Sequence, residues 1–117
     1  NSIMLLKIIK SFNYGMDYSG HPFKIEPKQI FPFAVVNSYA KNFSSLERKM
    51  HQKIQNGALG IISQPIFDID NAKKLLESFN IAKDGVEGDK KKAQLELLYF
   101  YLHKFQVFMY LNFGLML

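Results

Sequence analysis

Two short apolar runs, Phe31–Val36 and Leu59–Gln64, end in polar residues: Asn37 and Ser38 follow the first, Ser63 and Gln64 close the second, and Asp68 lies just beyond. Where strands alternate with helices, ligand contacts gather at the strand ends, because backbone and side chains of several βα-loops converge there. These residue types hold ligands rather than break bonds. The Gln64 carboxamide has one acceptor and two donors, enough to grip the edge of a heteroaromatic ring, and equally able to cap a loop. Lys53 lies on a helix between the two runs, where its ammonium group either snorkels from an apolar face or reaches an anion such as phosphate at the strand-end rim.

Other chemistries find no support. The chain has no cysteine, so disulfides, thiolate metal sites and a cysteine nucleophile are excluded. No Ser, His and Asp spacing suggests a triad. His21, His51 and His103 fall in a loop, a helix and the C-terminal segment, with no paired metal spacing, so no metal ligand is assigned. No glycine-rich nucleotide fingerprint occurs. The net charge of +5 comes almost entirely from lysine, with Arg48 the single arginine. Base-reading surfaces favour arginine forks, so a solvated lysine surface is expected rather than specific nucleic-acid binding.

The elements that must position these residues follow from periodicity. Leu5, Ile8, Ile9 and Phe12 fall at i, i+3, i+4 and i+7, giving a helix that Ser2 caps and Asn13-Tyr14-Gly15 stops. Gly20, Pro22 and Pro27 mark Met16–Gln29 as a connecting loop. Phe31–Val36 is continuous and β-branched or aromatic, as in a strand buried on both faces. Ser44 and Glu47 form a capping box for a helix over 45–56, ended by Gly57 in a left-handed conformation. Its apolar stripe is Leu46, Met50 and Ile54, and Lys53 projects within about twenty degrees of Leu46, at the stripe's edge. After the second strand, Asp68 or Asp70 caps a helix carrying Ala72, Leu75, Leu76 and Phe79. The order α, β, α, β, α implies parallel pairing through right-handed crossovers.

Asp84–Lys92 is polar, a surface loop or helix start. Residues 95–117 are apolar and aromatic, yet Glu96, His103, Lys104, Gln106 and Asn112 argue against a membrane span. Leu95, Leu98, Leu102, Phe105 and Met109 fit a helix, whereas Leu97, Tyr99 and Tyr101 alternate as in a strand; periodicity leaves both open. The apolar Asn1–Phe12 stretch lacks the basic flank and cleavage site of a signal peptide.

The run Lys53–Asp68, KIQNGALGIISQPIFD, resembles the methylenetetrahydrofolate reductases through its K-x-x-x-G-A core and [TS]-Q-x-x-[FY]-D end. Upstream, LLKIIKSFNYGMDYSG resembles that family's helix and N-x-G-x-D-x-x-G loop, and FPFAVVN its next strand, so the similarity spans about residues 2–79. Ser38 stands where many relatives have proline, Ser63 replaces the commoner threonine, and Gln52 replaces a basic residue found in some.

The resemblance implies an α/β fold, a partial (β/α) barrel with parallel strands and flanking helices over residues 1–94, followed by an apolar segment, 95–117, that departs from the family pattern. It implies reduction of methylenetetrahydrofolate to methyltetrahydrofolate, with hydride passing from NAD(P)H to FAD and on to the folate. Gln64 matches the folate-contacting glutamine, Lys53 a lysine that contacts the flavin, and Asn37 a position near the flavin. Asp17 and Glu26 do not match the family's acidic motifs, so no catalytic residue is named. The chain is less than half of such a barrel, and the expectation is that it is inactive alone and cytoplasmic. An alternative is a non-catalytic module that forms a homo-oligomer through exposed strand edges and the apolar segment. A third is a basic membrane-surface protein anchored by residues 95–117, which the polar residues there disfavour.

Overall fold

The structure, a computed structural model, describes residues 1–101 and 106–111. Helix α1 (Ser2–Asn13) leads into a long loop and strand β1 (Phe33–Val36). Helix α2 (Phe43–Gln55), strand β2 (Gly60–Ser63) and helix α3 (Ile69–Asp84) follow, then a short 3-10 helix (Gly88–Lys92), strand β3 (Gln94–Tyr101) and strand β4 (Gln106–Leu111).

The strands form one open sheet in the order β1-β2-β3-β4. β1, β2 and β3 are parallel, with Val36 opposite Ser63 and Gly60 opposite Gln94. β4 runs antiparallel to β3, with Leu98 opposite Met109. The fold is therefore an α/β mixture built on three parallel strands and one antiparallel neighbour. Within 95–117, the strand alternation of Leu97, Tyr99 and Tyr101 describes 95–101, and 106–111 is also strand; residues 102–105 and 112–117 lie outside the described residues.

Helices α2 and α3 pack together and on one face of the sheet. Leu46, Met50 and Ile54 of α2 meet Leu75, Phe79 and Ala82 of α3 and Val36, Ile61 and Leu95 of the strands in one buried cluster. Gly57 has φ +110°, the left-handed stop that lets the chain turn from α2 into β2. Gly60 meets a different demand. A Cβ there would lie 2.5 Å from the Phe33 ring and 2.8 Å from the Gln94 carbonyl oxygen, so glycine lets the ring lie across the strand.

Four sequence expectations are corrected. β1 is not buried on both faces: Ala34 and Val36 are buried, whereas Phe33 and Val35 are 42% and 53% exposed. The cap of α2 is Asn42, whose Oδ1 accepts from Ser45 N at 3.0 Å, so the helix starts before the Ser44 and Glu47 pair. An Asx side chain in extended backbone satisfies the same kind of amide need two residues earlier. Asn1, rather than Ser2, caps α1. Helix α1 turns a different face inward, with Leu6 buried and Ile3 against the core, while Leu5 and Ile8 are exposed. That helix touches α2 alone among its larger contacts, so only a narrow stripe is covered.

The Met16–Gln29 loop is closed at its base by Asn13. Asn13 Nδ2 donates to Ile30 O and Asn13 Oδ1 accepts from Ile30 N, both at 2.8 Å, which ties the end of α1 to the entrance of β1. Gly15 and Gly20 have φ +80° and +89°. The Asp17 carboxylate accepts from His21 N at 2.9 Å, and this bond, with the nearby imidazole, holds its pKa below the usual carboxylate range. The N-x-G-x-D-x-x-G pattern is thus accounted for locally by turn chemistry.

Candidate functional site

The strand ends do converge. Gln64 N donates to Val36 O at 3.0 Å, continuing the β1–β2 ladder and setting Asn37 and Gln64 side by side just past the two strands. Both are exposed, on the same side of the sheet as Phe33, Val35 and Ile62. Ser38 and Ser63, one residue away, are buried on the helix side. A two-residue side-chain period produces this division, with the Gln64 carboxamide outward and the hydroxyls inward, while Asn37 Oδ1 accepts from Tyr39 N at 2.9 Å.

Asn37 and Lys53 line one cavity of about 380 Å³, together with Lys41, Asn42, Ser45 and Lys49. α2 positions all the helical members, because Lys49 and Lys53 are four residues apart on one face and Asn42 and Ser45 belong to its first turn. Lys53 Nζ donates to Val35 O at 2.7 Å, a carbonyl on the open edge of β1. Burial, and secondarily the Lys49 charge, lowers the Lys53 pKa below the ordinary lysine value. Among the described residues no carboxylate pairs with Lys53. Three lysines and the first turn of α2 line one cavity that no acidic residue borders among the described residues, a composition that suits an anion. The chemistry of this donor set fits the phosphate groups of a nucleotide cofactor. Gln64 does not line this cavity but sits at the adjoining strand end.

The Gln64 backbone is held from two elements. Ser38 Oγ donates to Gln64 O, and Asn71 Nδ2 donates to Ser38 O. Tyr39 Oη accepts from Phe67 N at 2.6 Å and donates to Asp68 Oδ2 at 3.1 Å, while its ring stacks on Phe67. Asp68 caps α3 by accepting from Asn71 N at 2.7 Å, so Asp68 rather than Asp70 is the cap. Ile66, fully buried, anchors the middle of the loop. The side-chain carboxamide of Gln64 has no hydrogen-bond partner among the described residues and caps no loop there.

Sequence reasoning missed Lys41, Lys49, Asn42, Ser45 and Tyr39. Lys49 had a signal, its i, i+4 relation to Lys53. Tyr39 had none, because its partners Phe67 and Asp68 are 28 and 29 residues away. The two described histidines stay apart: His21 faces Asp17 at 3.4 Å in an exposed turn, and His51 Nδ1 lies 3.2 Å from Ala82 O between α2 and α3, while His103 lies outside the described residues. Among the described residues no three acidic or histidine side chains gather as metal ligands would, and no helix is long and apolar enough to cross a membrane.

A second cavity of about 400 Å³ lies at the other end of the strands, lined by Leu6, Ile9, Asn13, Ile30, Pro32 and Leu59 among others. None of Asn37, Lys53 or Gln64 borders it. Comparison with known proteins found no matching family model, no matching curated protein and no matching solved structure.

Proposed function

We propose that this chain binds a flavin nucleotide and a folate at the C-terminal ends of β1 and β2, as part of a barrel similar to the methylenetetrahydrofolate reductases. The observation that carries the reading is the shared cavity of Asn37 and Lys53, the two residues the resemblance assigns to the flavin, with Lys41, Lys49 and the first turn of α2 around it. In this reading the lysines neutralise the cofactor's phosphates, and Gln64, free at its carboxamide and exposed next to Asn37, takes the folate through paired hydrogen bonds. FAD, when bound, supplies the hydride relay from NAD(P)H to the folate. The chain's own residues bind and orient, and no proton-transfer role is assigned to any of them. A cytoplasmic location belongs to the same reading.

The test is direct. Purified protein titrated with FAD should retain the flavin with a shifted visible spectrum, and inorganic diphosphate should compete. A spectrum identical to that of free FAD at every protein concentration would reject the flavin assignment.

One observation favours a second reading, a non-catalytic module that self-associates: Phe33, Val35 and Ile62 form an exposed apolar strip on one face of the sheet. Sedimentation distinguishes the two, because the module reading requires a stable oligomer without flavin.

A further inference from the structure

Among the described residues nothing anchors the Gln64 side chain, and the bonds that fix it act on the backbone. Two consecutive residues after β1 do so at both ends of the Gln64–Asp68 loop: Ser38 Oγ bonds the Gln64 carbonyl, and Tyr39 Oη bonds Phe67 N and Asp68 Oδ2. Pro65 restricts the backbone between them, and Ile66 is buried beneath it. Asp68 and Asn71 close the circuit, since Asp68 accepts from Asn71 N and Asn71 Nδ2 returns to Ser38 O. Tyr39 is 43% exposed, and its hydroxyl serves this bridge.

We propose that Tyr39 is a positioning residue for Gln64: its hydroxyl, shared between Phe67 N and Asp68, locks the β2–α3 loop to the β1–α2 loop and fixes the backbone position from which the glutamine side chain projects. The role rests on the folate reading of Gln64 for its functional meaning, but the lock itself is testable without any ligand. Y39F keeps the ring and its stacking on Phe67 and removes both hydroxyl bonds, so the folded state is preserved.

In the full chain, Y39F should speed amide hydrogen exchange about tenfold at Phe67, whose N–H loses the Tyr39 hydroxyl, and also at Gln64, three residues away and still facing Val36 O. Y18F, on the exposed Met16–Gln29 loop, should change neither. Y39F should weaken binding of 5-methyltetrahydrofolate about tenfold and leave FAD affinity unchanged. Placed on Q64A, it should cost less than about twofold more, because a residue acting through Gln64 has nothing left to position. Unchanged exchange at Gln64 in Y39F overturns the proposal, as does a full tenfold further loss on the Q64A background. If the unmodified chain binds no 5-methyltetrahydrofolate, the folate reading falls, and the exchange at Gln64 alone decides whether Tyr39 holds that loop.

Discussion

On the face of the sheet that meets α2 and α3, Ala34, Val36, Ile61 and Ser63 are buried, whereas Phe33, Val35 and Ile62, their neighbours along the same strands, are 37% to 53% exposed. Both faces are apolar, as in strands covered on two sides, yet the described residues cover only one. The same alternation continues past the strands. Ser38 and Ser63 follow the covered face and are buried, and Ser38 bonds backbone of the next loop, while Asn37 and Gln64 follow the open face and are exposed. One side of the sheet is covered and the other open, and the division is a direct consequence of the two-residue period.

The sharpest way to break this comparison is to truncate adjacent residues of β2. Ile61→Ala, at a fully buried site, should lower unfolding free energy by about 3 kcal/mol in urea titrations, and Ile62→Ala by less than about 1 kcal/mol. Equal losses would mean that the open face is covered in solution, as the self-associating module requires.

Next in size is Gln64→Ala, which removes a group from the open side. It should weaken folate binding by about 1 to 3 kcal/mol and leave the unfolding midpoint unchanged. Unchanged folate affinity would refute the role given to Gln64.

Lys53→Met should reduce FAD affinity about tenfold by removing a charge-assisted bond to phosphate. The pH dependence sharpens the point. Because the free protein's Lys53 has a lowered pKa, a bound anion favours its protonated form, so FAD affinity should fall as pH rises through that lowered range. The folding linkage has the opposite sense. The unfolded chain holds this proton more tightly, so the charged lysine opposes folding at neutral pH, and that opposition is relieved as pH rises toward the ordinary lysine value. Lys53→Met should remove this pH dependence from the unfolding midpoint of the ligand-free protein, and its persistence would place the titration elsewhere.

The smallest contrast lies at the start of α2. Asn42→Ala should cost about 1 kcal/mol in thermal or urea unfolding and Ser44→Ala only a few tenths, since Asn42 makes the capping bond. The reverse order would restore the capping box at Ser44.

Much of the architecture was legible locally. The stripe of Leu46, Met50 and Ile54 is buried as its spacing requires, Gly57 takes the left-handed conformation that ends α2, and Asp68 caps α3. The inward face of α1 was not legible, because apolar residues surround that helix and periodicity alone does not rank two competing stripes. Ser44 with Glu47 satisfied a capping rule on spacing alone, whereas the helix begins two residues earlier, at the Asn42 cap.

The placement of Asn37 and Gln64 at strand ends was determined by sequence, since it needs only the ends of two apolar runs and a two-residue period. Their surroundings were decided by tertiary structure. Parallel pairing of β1 and β2 sets residues 27 positions apart side by side, and docking of α2 brings Lys49 and Lys53 to the same cavity as Asn37. The Tyr39 hydroxyl becomes a bridge only when the two loops meet. Local pattern fixes which face a side chain takes, but a hydrogen bond between distant loops depends on the relative position of whole elements, which packing alone supplies.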